Sequence, residues 1–189
     1  MNVDKEFVDR VVREERDAQR ELYELFAGRM LSIALRYVGQ RDYAEDVVHD
    51  SFIKVFRSIG GFNYRGKGAL RAWIERITVN TALEWLRTNK RIETVSLDES
   101  YQGGGGVEEL CSEPDSTQIE GIPIEQLYRL IGELPNGYRT IFNLFHIDGY
   151  SHREIGEILG INERSSSSQL LRARRQLAEK INEYIANNE

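Results

Sequence analysis

A stretch near the middle of the chain divides the sequence into two parts and limits the folds open to it. Residues 93–125 hold nine Asp or Glu and no Lys or Arg, four glycines lie at residues 103–106, and the apolar periodicity disappears. This composition is typical of a flexible linker. We therefore predict two small domains, over residues 1–92 and 124–189, joined by a flexible acidic, glycine-rich linker over 93–123.

The first part shows the spacing of amphipathic helices, with apolar residues at i, i+3, i+4 and i+7. Residues 4–38 predict two helices that meet near Gly28, and Gly39 is a candidate helix stop. A further helix is predicted over residues 42–59. Another begins at Ala69, and its predicted buried stripe consists of Leu70, Trp73, Ile74 and Ile77.

The second part also predicts helices. A short one precedes Pro135, and the next one ends at Gly149 after apolar positions at Tyr138, Ile141, Phe142 and Phe145. Ser151-His-Arg-Glu154 is a capping box that opens a further helix; Gly160 then turns the chain, and Asn162 can cap the last helix. This order predicts a helix-turn-helix. No stretch of the chain predicts a β-strand, so the predicted fold class is all-α.

The second helix of this motif is predicted to present polar and cationic side chains to a DNA groove or to phosphates. We predict DNA contacts from Arg164, Ser165, Ser167, Ser168, Gln169, Arg172 and Arg175. The predicted core side of the same helix consists of Leu170, Leu171, Ala173 and Leu177. Many helix pairs that do not bind DNA share this pattern, so an ordinary helical hairpin is the alternative.

A basic segment precedes the linker. Residues 53–92 hold nine Lys or Arg and two Glu, a balance of +7 within a protein of net charge −6. Its aromatic residues include Phe62, Tyr64 and Trp73; cations interleaved with aromatic rings suit single-stranded nucleic acid. Arg76 and Asn80 share one helical face with Arg87. A solvated basic helix is the alternative interpretation.

The helix over residues 42–59 has two different faces. Its predicted buried side consists of Val48, Phe52, Val55, Phe56 and Ile59, and its opposite face of Asp42, Glu45, Asp46, His49 and Asp50. This acidic face is either solvated surface or a docking site for a basic partner helix. Asp46-x-x-His49 also matches half of a di-iron motif, but the sequence offers no second half, so no metal site is predicted.

Composition limits the remaining possibilities. The first residues lack the features of a signal peptide, and no apolar run reaches the ~20 residues that cross a bilayer. The single cysteine, Cys111, fits a reducing compartment, so we expect a cytoplasmic protein. The sequence offers no nucleophile with an adjacent base and no phosphate-cradling loop between a strand and a helix. We therefore expect neither an enzyme nor a cofactor.

Two sets of motifs resemble a known family. Ala44-Glu-Asp-Val-Val-His-Asp-Ser-Phe52 and Trp73-Ile-Glu-Arg-Ile-Thr-Val-Asn80 resemble the second conserved region of bacterial RNA polymerase sigma factors. Asp148-Gly-Tyr-Ser-His-Arg-Glu-Ile155 and Arg172-Ala-Arg174 resemble the fourth region. Two helical domains without a middle domain are the layout of the extracytoplasmic-function (ECF) subfamily.

The resemblance implies a role for each surface. The acidic face would dock on a coiled coil of the largest polymerase subunit, with Phe52 packing beside it. The helix-turn-helix would bind the minus-thirty-five element, and an anti-sigma factor would be a further partner. Recognition and melting of the minus-ten element would fall to Phe62, Tyr64, Arg65, Lys67, Arg71, Trp73, Arg76, Asn80 and Arg87.

The chain also departs from the family pattern. His49 stands where the acidic motif usually has Gln, and Glu84 replaces the usual Asp. The recognition helix reads Arg164-Ser-Ser-Ser-Ser-Gln169 rather than Gly-Thr-Val-Lys-Ser-Arg, which predicts an altered sequence preference. We thus expect an ECF sigma factor that binds core polymerase and promoter DNA; a stand-alone helix-turn-helix regulator with an N-terminal dimerising bundle is the alternative.

Overall fold

The computed structural model describes residues 3–66, 68–89 and 121–188, and within these ranges its regular elements are helices. They group into two compact units, Met1–Lys90 and Arg91–Glu189. The first unit contains α1 (Lys5–Val12), α2 (Arg16–Val38), α3 (Arg41–Ser58), a 3-10 turn (Ile59–Gly61) and α4 (Ala69–Thr88). The second contains α5 (Ile124–Gly132), α6 (Asn136–Phe142), a π-helical turn (Asn143–Ile147), α7 (His152–Leu159) and α8 (Glu163–Ala186).

The predicted all-α fold class is confirmed. The predicted linker lies outside the described residues from 93 to 120. Among the helices that the structure describes, none is long and apolar enough to cross a membrane.

The core of the first unit lies between three long helices. Helices α2, α3 and α4 pack against one another, and α1 lies against α2. Leu22 and Tyr37 from α2, Val47 from α3, and Ile74 and Leu86 from α4 are fully buried there. Burying one large apolar side chain stabilises a fold by about 1.5–3 kcal/mol, so this shared core holds the bundle together.

The break between the first two helices lies at residues 13–15, so the prediction of a break near Gly28 was wrong. Gly28 lies inside α2, where a helix tolerates glycine at a cost of about 1 kcal/mol. The chain turns instead at Glu14, which has a left-handed φ of 60°. No sequence signal marks Glu14, because this conformation is uncommon for residues other than glycine. The predicted stop at Gly39, with φ 78°, is confirmed.

The buried side of α4 differs in part from the predicted stripe. Leu70 and Ile74 are buried as expected, but Trp73 and Ile77 are only half-buried. Buried threonines take part of the inner side: the Thr78 hydroxyl donates to the Ile74 carbonyl at 2.9 Å, and Thr81 bonds Ile77 in the same way. These local bonds satisfy the buried hydroxyls, and Trp73 remains at the edge of the core.

The helix-turn-helix of the second unit forms as predicted. The Ser151 side chain accepts from the Glu154 amide, and the Glu154 carboxylate accepts from the Ser151 amide at 2.8 Å. Gly160 ends α7 with φ 70°, and the Asn162 side chain caps α8 by accepting from the Ser165 amide at 2.6 Å. Each cap and helix end depends on residues that are neighbours in the sequence, so the sequence pattern alone was sufficient to predict the helix-turn-helix.

The helix before Gly149 changes its winding, which the sequence pattern did not reveal. Residues 143–147 form a π-helical turn, closed by the Asp148 amide, which donates to the Asn143 carbonyl at 2.9 Å. The wider turn rotates the following side chains relative to a regular α-helix. Leu144 is therefore fully buried, whereas Phe145, predicted on the apolar side, is only half-buried.

The stability of the second unit should depend on the protonation of His146. Its ring lies beside those of Phe142 and Phe145, at centroid distances of 4.8 and 5.1 Å. Desolvation by burial, helped by the charge of Arg174, lowers the pKa of His146. The unfolded chain therefore takes up a proton that the folded unit resists, and stability should decrease as pH falls through the ordinary histidine pKa of about 6.5.

Thermal unfolding between about pH 7.5 and 5.5 measures this effect, which should be only about 1–3 °C because His146 is partly exposed. His146→Gln should reduce the slope of melting temperature against pH. His49→Gln in the first unit is the matched control and should leave the slope of the second unit unchanged. An unchanged slope in His146→Gln would contradict the assignment.

Candidate nucleic-acid and protein interfaces

The acidic face of α3 is exposed along its length. Asp42, Glu45, Asp46, His49 and Asp50 all lie in solvent, while Ala44, Val47 and Phe52 face the core. The only cation paired with this face among the described ion pairs is Arg41, whose Nε lies 2.8 Å from a Glu45 oxygen. Such an exposed i,i+4 pair contributes little. The face therefore keeps a strong negative charge that can attract a basic partner.

Phe52 supports this face rather than forming part of it. Its side chain is 4% exposed, and its ring lies 4.7 Å from the Tyr23 ring and 5.9 Å from the Phe56 ring. Tyr23 and Ile53 are 51% and 36% exposed and form an apolar rim beside the charges. This rim was not predicted from the sequence, although Tyr23 and Ile53 are large apolar residues outside the predicted buried stripes.

The aromatic loop, residues 62–66, leads from the 3-10 turn towards α4. Phe62 and Trp73 form a tilted pair with ring centroids 5.1 Å apart, and both side chains remain half-exposed. Tyr64 is held by its hydroxyl, which donates to the Val3 carbonyl at 3.2 Å. Arg65 is exposed, and the predicted Lys67 lies outside the described residues. The loop thus presents the aromatic ring of Phe62 together with the guanidinium group of Arg65.

The face of α4 beside this loop carries polar and cationic groups. Arg76, Asn80 and Arg87 are all exposed, and a rotation of about 100° per residue places them within about 40° of one another. Trp73 lies about 20° from Asn80 and about 60° from Arg76 on the same helix. Arg71 points elsewhere and contacts the Glu75 carboxylate at 3.7 Å, which also pairs with Arg29. Of the predicted residues on α4, Trp73, Arg76, Asn80 and Arg87 therefore share one side of the helix, whereas Arg71 does not.

Fewer of the predicted DNA-contacting residues of α8 face outward than the sequence pattern indicated. Ser165 and Gln169 are 5% and 6% exposed, so the expectation that both face outward was wrong. Asn162 fixes the start of the helix, and this start turns residues 165, 166 and 169 towards the interior of the second unit. Ser166 is fully buried there, with its Oγ 3.0 Å from His152 Nδ1.

Leu171 lies on the outward face, where Ser165 and Gln169 had been predicted. It was predicted in the core, but its side chain is 54% exposed. The rotation per residue places it about 20° from Arg164, seven residues earlier, and about 40° from Arg175, four residues later. We call this surface the recognition face; it consists of Arg164, Ser167, Ser168, Leu171, Arg172 and Arg175. The Ser168 hydroxyl already donates to the Arg164 carbonyl at 3.0 Å, so it offers DNA chiefly an acceptor.

Comparison with known proteins identifies both units. Residues 22–92 match the family model for sigma-70 region 2, and residues 124–177 match the model for sigma-70 region 4. The ECF RNA polymerase sigma-E factors of Salmonella typhimurium and Escherichia coli K12 are each 30% identical over 187 residues, which covers 96% of this chain and of each relative.

A solved structure of the sigma factor RpoE with the anti-sigma factor NepR, from Bartonella quintana, also matches. It is 21% identical, covers 85% of this chain and 94% of its own, and superposes with a TM-score of 0.49.

Proposed function

The chain belongs to the sigma-70 family, in the ECF group, as a sigma factor that binds core RNA polymerase and directs it to promoters, and from this premise we propose how its parts divide that work. Residues 1–92 dock on polymerase and recognise and melt the minus-ten element. Residues 124–189 bind the minus-thirty-five element through the helix-turn-helix. The acidic linker, residues 93–123, connects the two activities.

Polymerase docking is assigned to the acidic face of α3 with its apolar rim. Its carboxylates would meet basic residues of a helical partner, and Tyr23 and Ile53 would bury apolar surface beside them. Charge guides the encounter, whereas apolar burial slows dissociation. His49 contributes a hydrogen-bonding ring where the family usually has an amide.

The aromatic loop and the face of α4 are assigned to the minus-ten element. The observation that carries this assignment is the half-exposed Phe62–Trp73 pair beside Arg76, Asn80 and Arg87. Unstacking a base costs a few kcal/mol, and stacking on an aromatic ring returns about 1–3 kcal/mol per base. The arginines add phosphate contacts along the displaced strand. The side chains therefore stabilise unpaired DNA without any catalytic group.

Trp73→Ala should reduce promoter melting by about tenfold, the loss of one stacking contact. The measurement is fluorescence of a base analogue in the minus-ten element during titration with the holoenzyme. Trp85→Ala is a matched control, because Trp85 forms a similar pair with Tyr43 at 4.8 Å on the opposite side of α4. Equal losses in both variants would indicate a general effect on the fold and contradict the assignment.

The recognition face is assigned to the minus-thirty-five element. Arg164, Arg172 and Arg175 can bind phosphates or guanine, and the serine hydroxyls can bond base edges. Leu171 offers an apolar contact that suits the methyl group of thymine. Ser165 and Gln169 support the helix from inside and are not assigned to DNA.

Run-off transcription tests the whole proposal. Core polymerase with this protein is offered a pool of randomised promoters, and the transcripts identify the promoter sequence. Transcripts that disappear in Asn80→Ala and Trp73→Ala support the assignments. Tight duplex binding through α7 and α8 without binding to core polymerase would instead favour a stand-alone regulator.

Three further features of the function are proposed on family membership and chemistry. The protein acts by binding and has no catalytic centre of its own, because polymerase performs the chemistry. An anti-sigma factor is a partner, as the family resemblance implies. The site of action is the cytoplasm, where bacterial polymerase and DNA are found.

A further inference from the structure

Helix α1 lies against the segment that leads into the aromatic loop, and we propose that α1 holds this loop in position for promoter melting. This inference rests on the proposed function of the loop. Helix α1 contacts both α2 and the 3-10 turn. Phe7, Val8 and Val11 are 1–5% exposed, so α1 is anchored to the first unit by its apolar side.

A direct bond joins the two segments. The Tyr64 hydroxyl donates to the Val3 carbonyl at 3.2 Å, across 61 residues of sequence. Val3 immediately precedes Asp4, whose carboxylate caps α1 by accepting from the Phe7 amide at 2.9 Å. The cap fixes the direction of the chain at the start of α1, and with it the position of the Val3 carbonyl.

The other end of α1 is fixed as well. Glu14 turns the chain with φ 60°, and the Glu15 carboxylate accepts from Arg10 Nε at 3.0 Å and lies 2.9 Å from an Arg13 guanidinium nitrogen. The hydrogen bond from Arg10 lowers the pKa of Glu15, because the charged carboxylate is the better acceptor. The turn thus sets the angle between α1 and α2, while the cap sets the contact with Tyr64.

The arrangement gives Tyr64 a positioning role in addition to any contact with DNA. Its hydroxyl tethers the middle of the aromatic loop, between Phe62 and Arg65, to a helix outside the proposed DNA surface. A loop that is already ordered loses less conformational entropy on binding, so the tether favours capture of unpaired DNA. The proposal therefore links the N-terminal residues of the chain to melting.

The test measures promoter melting by the holoenzyme with base-analogue fluorescence, and hydrogen exchange of the loop amides in the free protein. Tyr64→Phe keeps the ring and removes the bond; it should reduce the melting constant by about fivefold. Asp4→Ala removes the cap without changing any residue of the proposed DNA surface and should have a similar effect. Both variants should accelerate exchange at residues 62–66.

Three comparisons make the result specific. Asp4→Ser removes the charge but keeps a capping side chain, so melting should be close to that of the unaltered protein. If the loss in Asp4→Ala came from the missing charge, Asp4→Ser would show it too. Lys5→Ala, in the same turn, removes only an exposed ion pair with Asp9 at 3.6 Å and should resemble the unaltered protein. The double variant Asp4→Ala/Tyr64→Phe should lose no more than either single variant, because both changes break one connection.

The possible outcomes separate this inference from the proposed function. If the unaltered holoenzyme fails to melt the promoter, the proposed function is wrong. If it melts the promoter and Asp4→Ala leaves melting and loop exchange unchanged, the positioning role of α1 is overturned. Additive losses in the double variant would overturn it too, because they would show two independent effects.

Discussion

Asp46→Lys combined with Asp50→Lys should weaken binding to core polymerase by about three orders of magnitude. The two carboxylates lie on the exposed acidic face of α3, one helical turn apart. Each change removes an attraction to the proposed basic partner and introduces a repulsion, and like charges that meet across an interface cost several kcal/mol. Because both side chains are exposed, the fold should tolerate the changes.

Titration of labelled core polymerase with each variant measures this effect, and tryptophan fluorescence on heating checks that the first unit remains folded. Glu24→Lys is the matched control, since it reverses an exposed charge on α2 whose described contact is the surface pair with Arg20 at 2.9 Å. Raising the salt concentration should weaken the unaltered complex and narrow the difference between it and the double variant. Unimpaired binding by the double variant would place docking elsewhere on the protein.

The features predicted correctly from the sequence are those whose physical cause is local. Ser151 and Asn162 cap helices through side chains that reach an amide three residues away. Gly39 and Gly160 end helices because each adopts a left-handed conformation that favours glycine. Neither signal depends on distant packing, so the sequence pattern was sufficient.

The features that were missed depend on packing or on small changes of helical phase. A break at Glu14 requires an uncommon backbone conformation, and the π-helical turn rotates Leu144 into the core. On α8, Leu171 was predicted in the core because it is apolar, and Ser165 and Gln169 were predicted on the surface because they are polar. The structure reverses these placements, because α7 packs on the face that contains Ser166.

The reversal on α8 changes the expected basis of sequence preference. A recognition face with Leu171 and without Gln169 loses an amide that could pair with adenine and gains an apolar contact. The family resemblance predicted which helix reads DNA, and the burial of each side chain limits which of its positions could reach DNA. The surface proposed to read DNA therefore depends on how closely α7 approaches α8.

Gly156→Ala should lower the melting temperature of the second unit by about 10–20 °C and abolish binding to the minus-thirty-five element. A Cβ at Gly156 would lie 2.7 Å from the Ile161 carbonyl oxygen, which belongs to the turn between α7 and α8. This oxygen is backbone and cannot rotate away as a flexible side chain would. The turn itself is fixed by Gly160, by the Asn162 cap, and by the Ile161 amide, which donates to the Gly156 carbonyl at 3.0 Å.

An alanine therefore forces α7 away from α8, and this movement displaces the recognition face. Both tryptophans lie in the first unit, so the unfolding transition that their fluorescence reports should occur at the same temperature as in the unaltered protein, while circular dichroism should show earlier unfolding of the second unit. Gly132→Ala is the matched control, because nothing lies within 4 Å of the added Cβ at the end of α5 and alanine favours a helix. If both variants melted alike, the close approach at Gly156 would not determine the geometry of the helix-turn-helix.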